Sequence, residues 1–172
     1  KGSYYEGGIR VPFFFLWEGI IQSGTNEHTP ITNLDIFPTI LEAAEIKEEY
    51  SLDGKSLIPL LTQNKELPER PLFWHFPIYL EAYQYGQDET RDPLFRTRPG
   101  SVVRAGNWKL HYYFENEEVE LYDLENDISE TKDLSTIELA KKEELMELLS
   151  NWWKETNAPI PSTKNPEFVS ND

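Results

Sequence analysis

The first twelve residues, KGSYYEGGIRVP, constrain the fold of this chain more than any other stretch. They place a lysine, an acidic residue, a glycine pair and an arginine directly before the apolar run of residues 11–17. Glycine pairs let a backbone turn sharply or approach a ligand closely, and an apolar run of this length predicts a buried strand. The order therefore predicts a charged loop at the edge of a sheet, where open α/β sheets bind their ligands.

Two cations of this loop suit an anionic ligand. Lys1 offers a compact point charge, whereas the planar guanidinium of Arg10 suits either a bidentate clamp or a structural ion pair. The stretch closely resembles a signature of the type I sulfatases, in the alkaline phosphatase superfamily: lysine-glycine-x-x-tyrosine-glutamate-glycine-glycine-x-arginine-x-proline. The resemblance implies that Lys1 contacts the sulfate ester, and that the loop is shaped by Glu6, Gly7, Gly8 and Arg10.

Later segments resemble the same family in the same order. Residues 31–44 resemble the helix that follows the strand, and residues 51–61 resemble an Asp-Gly-x-Ser-Leu-x-Pro-Leu-Leu segment. Further similarities to the family's C-terminal subdomain lie in residues 71–79, 98–110 and 121–127. The resemblance thus covers about residues 1–155 and implies a sulfuric ester hydrolase whose substrate is a sulfated small molecule or, more specifically, a glycan.

Groups that the resemblance makes essential for catalysis are missing. Type I sulfatases carry a cysteine or serine, in a Cys/Ser-x-Pro/Ala-x-Arg motif, that is oxidised to formylglycine, and Asp-Asp and Asp-Asn pairs that bind calcium. This chain has no cysteine, and Ser56 and Ser101 do not stand in that motif. We therefore expect the C-terminal part of a longer sulfatase, inactive alone, with no cofactor or metal site of its own and with formylglycine and calcium supplied upstream.

The composition limits the classes of partner that the chain can bind. The net charge is −15, from 31 acidic and 16 basic residues, which argues against nucleic acid and anionic membranes as partners. No apolar segment reaches the length of a transmembrane helix. The resemblance implies a periplasmic or extracellular location, and the sequence leaves the oligomeric state open.

The second half of the chain predicts an antiparallel sheet covered by a helix. Alternating apolar residues and tight turns predict strands at residues 72–76, 101–104, 108–114 and 119–124. Ser135 and Glu138 predict a capping box. The apolar stripe that follows includes Leu148 and Trp152, and it predicts a helix packed on the sheet.

The polar, proline-bearing segment 62–71 predicts a boundary. We assign residues 1–66 to the end of a catalytic α/β domain, residues 67–158 to an antiparallel-sheet subdomain with its terminal helix, and residues 159–172 to a flexible tail. The predicted fold class is α+β: the closing strand and helix of an α/β sulfatase domain, then a small antiparallel sheet packed against a C-terminal helix.

Three further residues are candidates for substrate binding. His75 lies in a Trp-His-x-Pro turn that the resemblance places at the rim of the substrate pocket, although a histidine among aromatic residues also suits simple packing. Arg98 and Arg104 suit a second sulfate or a uronate carboxylate, or else structural pairing with the abundant acids. The acidic run of residues 115–120 predicts a solvated turn.

Two other functions remain open at this level. The chain suits a non-catalytic glycan-binding or interaction module if tryptophans and tyrosines of the sheet are exposed. It also suits a phosphodiesterase or phosphonate hydrolase of the same superfamily, although such enzymes usually place metal-binding Asp and His residues in this region. A module that stands alone has no need for a loop shaped around an anion, and this favours the sulfatase.

Overall fold

The computed structural model of the chain describes residues 2–47, 51–63, 65–81 and 95–166. The chain forms two compact units: Lys1–Val11 together with Arg70–Asp172, and Pro12–Glu69. The N-terminal loop therefore belongs to the same unit as the C-terminal sheet. The functional division at residue 66 stays a prediction.

The larger unit is built on four antiparallel strands. The strands of the chain are β1 (Leu72–Phe76), β2 (Leu80–Glu81), β3 (Phe95–Thr97), β4 (Gly100–Ala105), β5 (Trp108–Tyr113) and β6 (Glu118–Asp123). The main sheet has the order β1-β4-β5-β6, and β2 pairs with β3 separately. The four longer strands lie where alternation and turn residues predict them. The stretch between β2 and β3, residues 82–94, lies outside the described residues.

The C-terminal helix covers one face of the sheet, as predicted. This helix, here α4 (Leu139–Thr156), buries Leu145 and Leu149 completely. They form a core with Val103 of β4, Leu110 of β5 and Leu121 of β6. Val103 lies opposite Leu110, and Leu110 lies opposite Leu121, so the three side chains share one face of the sheet. The predicted fold class, α+β with a sheet packed on a C-terminal helix, is confirmed.

The predicted start of this helix is wrong. Ser135 does not cap it, because its hydroxyl donates to Asp133 at 2.9 Å, and the helix begins only at Leu139. Asp133 also accepts the backbone N–H of Leu121 at 2.9 Å. The serine therefore belongs to a turn that fastens the connecting segment to β6. A local capping pattern does not reveal this long-range alternative.

The N-terminal loop covers the opposite face of the sheet. It contains a short helix, α1 (Glu6–Ile9). Tyr4 packs with Val102 and Tyr113 in a second buried cluster. The sheet is therefore covered on both sides, by α4 on one and by residues of the loop on the other. This second cover is not part of the sequence prediction.

The smaller unit contains a helix-rich segment. A 3-10 turn at Asn33–Asp35 leads into α2 (Ile36–Ala43), and α3 (Ile58–Gln63) follows. The buried Asp35 closes a capping box with Thr32 and accepts the backbone N–H of Lys55 at 2.8 Å. The helix predicted within residues 31–44 is confirmed, but the side chain of Asp35 caps the preceding 3-10 turn and makes no capping hydrogen bond to α2.

The predicted buried strand over residues 11–17 is wrong. This run has no strand assignment, and Phe14 and Leu16 are 91% and 94% exposed. A strand needs a neighbour for its backbone hydrogen bonds and a surface against its apolar side chains. The described part of the chain pairs no strand with this run.

Among the described helices, none is long and apolar enough to cross a membrane.

Candidate functional site

The N-terminal loop is the candidate site, because it carries the twelve-residue signature KGSYYEGGIRVP. Lys1, the predicted sulfate contact, lies outside the described residues. The loop that follows it is described from Gly2 onwards. Its three consecutive residues Tyr4, Tyr5 and Glu6 each contact a different part of the sheet.

Tyr4 fixes the loop to the β1–β4 side of the sheet. Its hydroxyl donates to the carbonyl oxygens of Phe76 and Gly100, at 2.9 and 3.1 Å. The ring is 6% exposed, and burial raises the pKa of Tyr4. The hydroxyl therefore stays protonated and acts as a donor at neutral pH.

Tyr5 reaches the β5–β6 side. Its ring stacks on His111, with centroids 4.7 Å apart and planes 26° apart. Its hydroxyl donates to Oε2 of Glu120 at 2.6 Å and accepts from the hydroxyl of Tyr113 at 3.1 Å. Burial, reinforced by Tyr113 and Glu120, raises the pKa of Tyr5. The tyrosine is thus a permanent donor to a buried carboxylate.

Glu6 is a buried acid that meets cations from the sheet and from its own helix. Its Oε1 accepts from Nζ of Lys109 at 3.0 Å. Its Oε2 lies 3.4 Å from Arg10 and 3.6 Å from Arg104. A buried carboxylate requires such partners, since an unpaired charge away from water is strongly unfavourable. Glu6 therefore shapes the loop through charge as well as through its backbone.

Glu130, on the segment between β6 and α4, completes the cluster. Its Oε1 lies 3.0 Å from Nζ of Lys109 and 2.8 Å from Nε2 of His111. Its Oε2 accepts the backbone N–H of Glu6. We name Glu6, Lys109, His111 and Glu130 the buried charge cluster; each is at most 6% exposed.

The protonation of this cluster follows from its contacts. Burial alone raises the pKa of Glu130, but the hydrogen bond from His111, the charge of Lys109 and the amide of Glu6 outweigh it, so the pKa is lowered. Burial lowers the pKa of His111 despite its hydrogen bond to Glu130. His111 is therefore neutral at pH 7, and we infer a proton on Nε2 that it donates to Glu130. Its Nδ1 is buried with no hydrogen-bond partner among the described residues.

The two signature glycines differ in what they do. A Cβ on Gly8 would lie 2.2 Å from the carbonyl oxygen of Ser3, so a side chain here collides with the backbone of the loop. A Cβ on Gly7 would meet nothing within 4 Å. Gly8 is thus required for the close approach of the loop to itself, and Gly7 has no steric requirement.

The other predicted site residues make structural contacts. His75 has both ring nitrogens engaged, Nδ1 with Ser101 Oγ at 2.6 Å and Nε2 with the carbonyl oxygen of Pro159 at 3.0 Å. Burial lowers the pKa of His75. Arg98 pairs with Glu118 at 2.9 Å and lies over the Tyr113 ring at 4.5 Å. These contacts favour the structural alternatives for His75 and Arg98, and the substrate roles of both stay predictions.

Arg104 joins the loop. Besides Glu6, it contacts the carbonyl oxygen of Gly106 at 3.2 Å, and burial lowers its pKa while Glu6 opposes that shift. Its contact with the signature glutamate favours a structural role, and a substrate role stays a prediction.

Sequence reasoning missed the sheet residues that hold the loop. Lys109, His111 and Glu120 alternate with apolar neighbours along β5 and β6, a pattern that usually indicates a solvent-facing side. The acidic run was predicted to be solvated, yet Glu115 and Glu120 are each only 6% exposed. One signal was present in the sequence. Lys109 and His111 lie two residues apart in a predicted strand and therefore on one face of it, which suits contact with a charged loop.

The described residues contain no group of three or more His, Asp or Glu side chains that could hold a metal ion. They do not fit the calcium site that the resemblance implies for the longer protein.

Comparison with known proteins identifies the family. The family model described as N-sulphoglucosamine sulphohydrolase, C-terminal, matches residues 1–157. A sulfatase of Formosa agariphila is 33% identical over 178 residues, covering 92% of this chain and 30% of that protein. The N-acetylglucosamine-6-O-sulfatase of Bacteroides thetaiotaomicron is 27% identical over 175 residues, covering 100% of this chain and 30% of that protein.

A solved structure agrees with these relatives. The structure of a 2-O GAG sulfatase superposes with a TM-score of 0.54 and 28% identity, over 77% of this chain and 27% of the other. The chain spans less than a third of the length of these proteins. Given the family match over almost its whole length, the chain belongs to the sulfatases, in the family that describes the C-terminal region of N-sulphoglucosamine sulphohydrolase.

Proposed function

We propose that this chain is the C-terminal part of a sulfatase that hydrolyses sulfate esters on a carbohydrate. The observation that carries the proposal is the N-terminal signature, which is held against the sheet by three consecutive side chains. The N-acetylglucosamine-6-O-sulfatase among the relatives supports a sugar sulfate as the substrate class.

The contribution of this chain to the reaction is a localised positive charge. In the proposal, the ammonium of Lys1 binds a non-bridging oxygen of the sulfate and stabilises the charge that develops in the transition state. The groups that the resemblance implies for bond cleavage, formylglycine and calcium, belong to another part of the protein. The chain alone is therefore inactive. Its acidic surface repels the anionic substrate only weakly, because salt screens exposed charges.

The test compares the chain alone with the longer protein expressed from the coding sequence that contains it. Both are incubated with an aryl sulfate, N-acetylglucosamine-6-sulfate and a phosphonate monoester, with calcium present. We expect sulfate release by the longer protein only. Turnover above background by the 172-residue chain would contradict its inactivity, and preferential hydrolysis of the phosphonate would contradict the sulfatase assignment.

Among the described residues, no observation supports the alternative of a free glycan-binding module. It requires exposed aromatic side chains on the sheet, whereas Tyr113 and Tyr122 are buried. Trp108, Trp152 and Trp153 pack, partly buried, against the apolar core under α4. Glycan binding by the 172-residue chain, measured by calorimetry, would restore this alternative.

A further inference from the structure

We propose that Lys109 and Glu130 are positioning residues for the sulfate-binding lysine: the buried charge cluster locks the signature loop onto the sheet and thereby fixes where Lys1 can reach. This inference rests on the proposed function, because it gives the cluster a role in presenting Lys1. Neither residue touches the substrate in this proposal.

The anchored part of the loop limits how far Lys1 can reach. Tyr4, Tyr5 and Glu6 are held at three separate points of the sheet. Lys1 lies three residues before Tyr4 in the sequence, and an extended chain spans at most about 3.3–3.6 Å per residue. Whatever fixes Tyr4 to Glu6 therefore limits the volume that Lys1 can occupy.

Lys109 bridges the carboxylate of the loop and that of the segment after β6. Nζ of Lys109 lies 3.0 Å from one carboxylate oxygen of Glu6 and 3.0 Å from one of Glu130. Lys109 is 0% exposed. A buried ion pair adds little net stability compared with apolar packing, but it specifies one arrangement, since loss of one partner leaves a buried charge alone. A bridge of this kind is suited to holding the loop in one position on the sheet.

The backbone of Glu130 is strained. Its φ is 53°, in the left-handed region that non-glycine residues seldom adopt. Strain of this kind persists only where surrounding contacts hold it, and it collects at functional sites. The contacts that hold Glu130 are those to Lys109, His111 and the Glu6 amide. The strained residue is thus the one that grips the loop.

The experiment is a double-mutant cycle in the longer protein. Lys109→Met removes the ammonium but keeps a long side chain, and Lys1→Ala removes the proposed sulfate contact. Lys141→Met is the matched control, because Lys141 is a partly exposed lysine of α4 whose ammonium contacts Glu144. kcat and KM are measured for each variant, with the folded fraction checked by circular dichroism.

We expect Lys109→Met to lower kcat/KM at least about tenfold, and Lys1→Ala to lower it about 10²–10³-fold. The kcat/KM of the double variant should lie within about threefold of that of Lys1→Ala alone. Once the Lys1 ammonium is absent, the position of the loop no longer affects its contact with the sulfate. A purely structural role would instead make the two effects multiply. Lys141→Met should behave like the wild type.

Three results would overturn the inference. These are a wild-type kcat/KM for Lys109→Met beside an impaired Lys1→Ala, multiplying effects in the double variant, and an unimpaired Lys1→Ala. Only the last also removes the proposed role of Lys1, so the two failures are distinguishable. If Lys109→Met does not fold, the same cycle with Glu130→Gln decides, since glutamine keeps the size and loses the charge.

Discussion

Gly8 and Gly7 are adjacent in the chain, but their surroundings differ. The position of a Cβ on Gly8 lies 2.2 Å from a backbone oxygen of Ser3, and that of Gly7 is open. Both glycines lie in α1, where alanine is the better helix former. The two sites therefore offer a matched pair in which only one carries a steric penalty.

We predict that Gly8→Ala destabilises the chain by about 1–3 kcal/mol, the range for forcing extra volume into a packed site. Gly7→Ala should be neutral or stabilising by up to about 1 kcal/mol, because it reduces the freedom of the unfolded chain. Urea denaturation of the 172-residue chain measures both. Equal effects of the two substitutions would mean that the loop does not close on itself at Ser3.

The buried charge cluster also predicts how stability depends on pH. The folded pKa of His111 lies below its ordinary 6.5, so the unfolded chain takes up this proton first as the pH falls below about 6.5. Glu130 acts in the same direction at lower pH, because its lowered pKa gives stability above 4.5 that is lost as the pH falls through the folded pKa. We therefore expect the free energy of unfolding to decrease from pH 7 towards pH 4.

The part due to His111 is separable by substitution. His111→Gln keeps a donor for Glu130 and removes the titration, so the decrease between pH 7 and pH 5 should become smaller. The pH dependence of His75→Gln is measured for comparison, because burial lowers the pKa of His75 as well. The two variants together separate the contributions of the two histidines. An unchanged pH dependence in His111→Gln, measured by denaturant titrations at several pH values, would contradict a neutral buried histidine.

At the scale of elements, the sheet is stabilised differently on its two faces. The face under α4 is apolar, with Leu145 and Leu149 fully buried against Val103, Leu110 and Leu121. The face under the loop holds tyrosines and ionised groups that satisfy one another. The apolar face supplies most of the transfer free energy, whereas the polar face determines where the loop lies.

We predict that Leu149→Ala lowers the free energy of unfolding by about 2–5 kcal/mol, the range for a leucine removed from a core. Leu139→Ala is its control, because Leu139 is on the same helix and 52% exposed; its effect should stay within about 0.5 kcal/mol. Chemical denaturation compares the two. Similar losses would show that α4 does not pack on the sheet through this face.

At the scale of the whole molecule, the site is assembled from distant parts of the chain. Glu6 and Lys109 are 103 residues apart in sequence, and Glu6 and Glu130 are 124 apart. The unit formed by Lys1–Val11 and Arg70–Asp172 thus brings the signature back onto the C-terminal sheet. In this chain the C-terminal sheet therefore also supports the signature loop.

The sequence by itself determined the elements whose signals are local. Alternating apolar residues and tight turns located β1, β4, β5 and β6, because a strand with one apolar face carries its period in its own residues. The apolar stripe located α4 for the same reason. The signature was legible as well, since its twelve residues are contiguous, and it led to the correct family.

The tertiary structure alone decided which polar residues are buried and what the loop contacts. A strand face of Lys109, His111 and Glu120 has the same alternation whether water or a charged loop covers it, so periodicity cannot tell the two apart. The apolar run of residues 11–17 failed as a strand for a related reason, because pairing depends on a neighbour that the run does not encode. Partners more than a hundred residues away are chosen by packing and charge complementarity, and these exist only once the chain has folded.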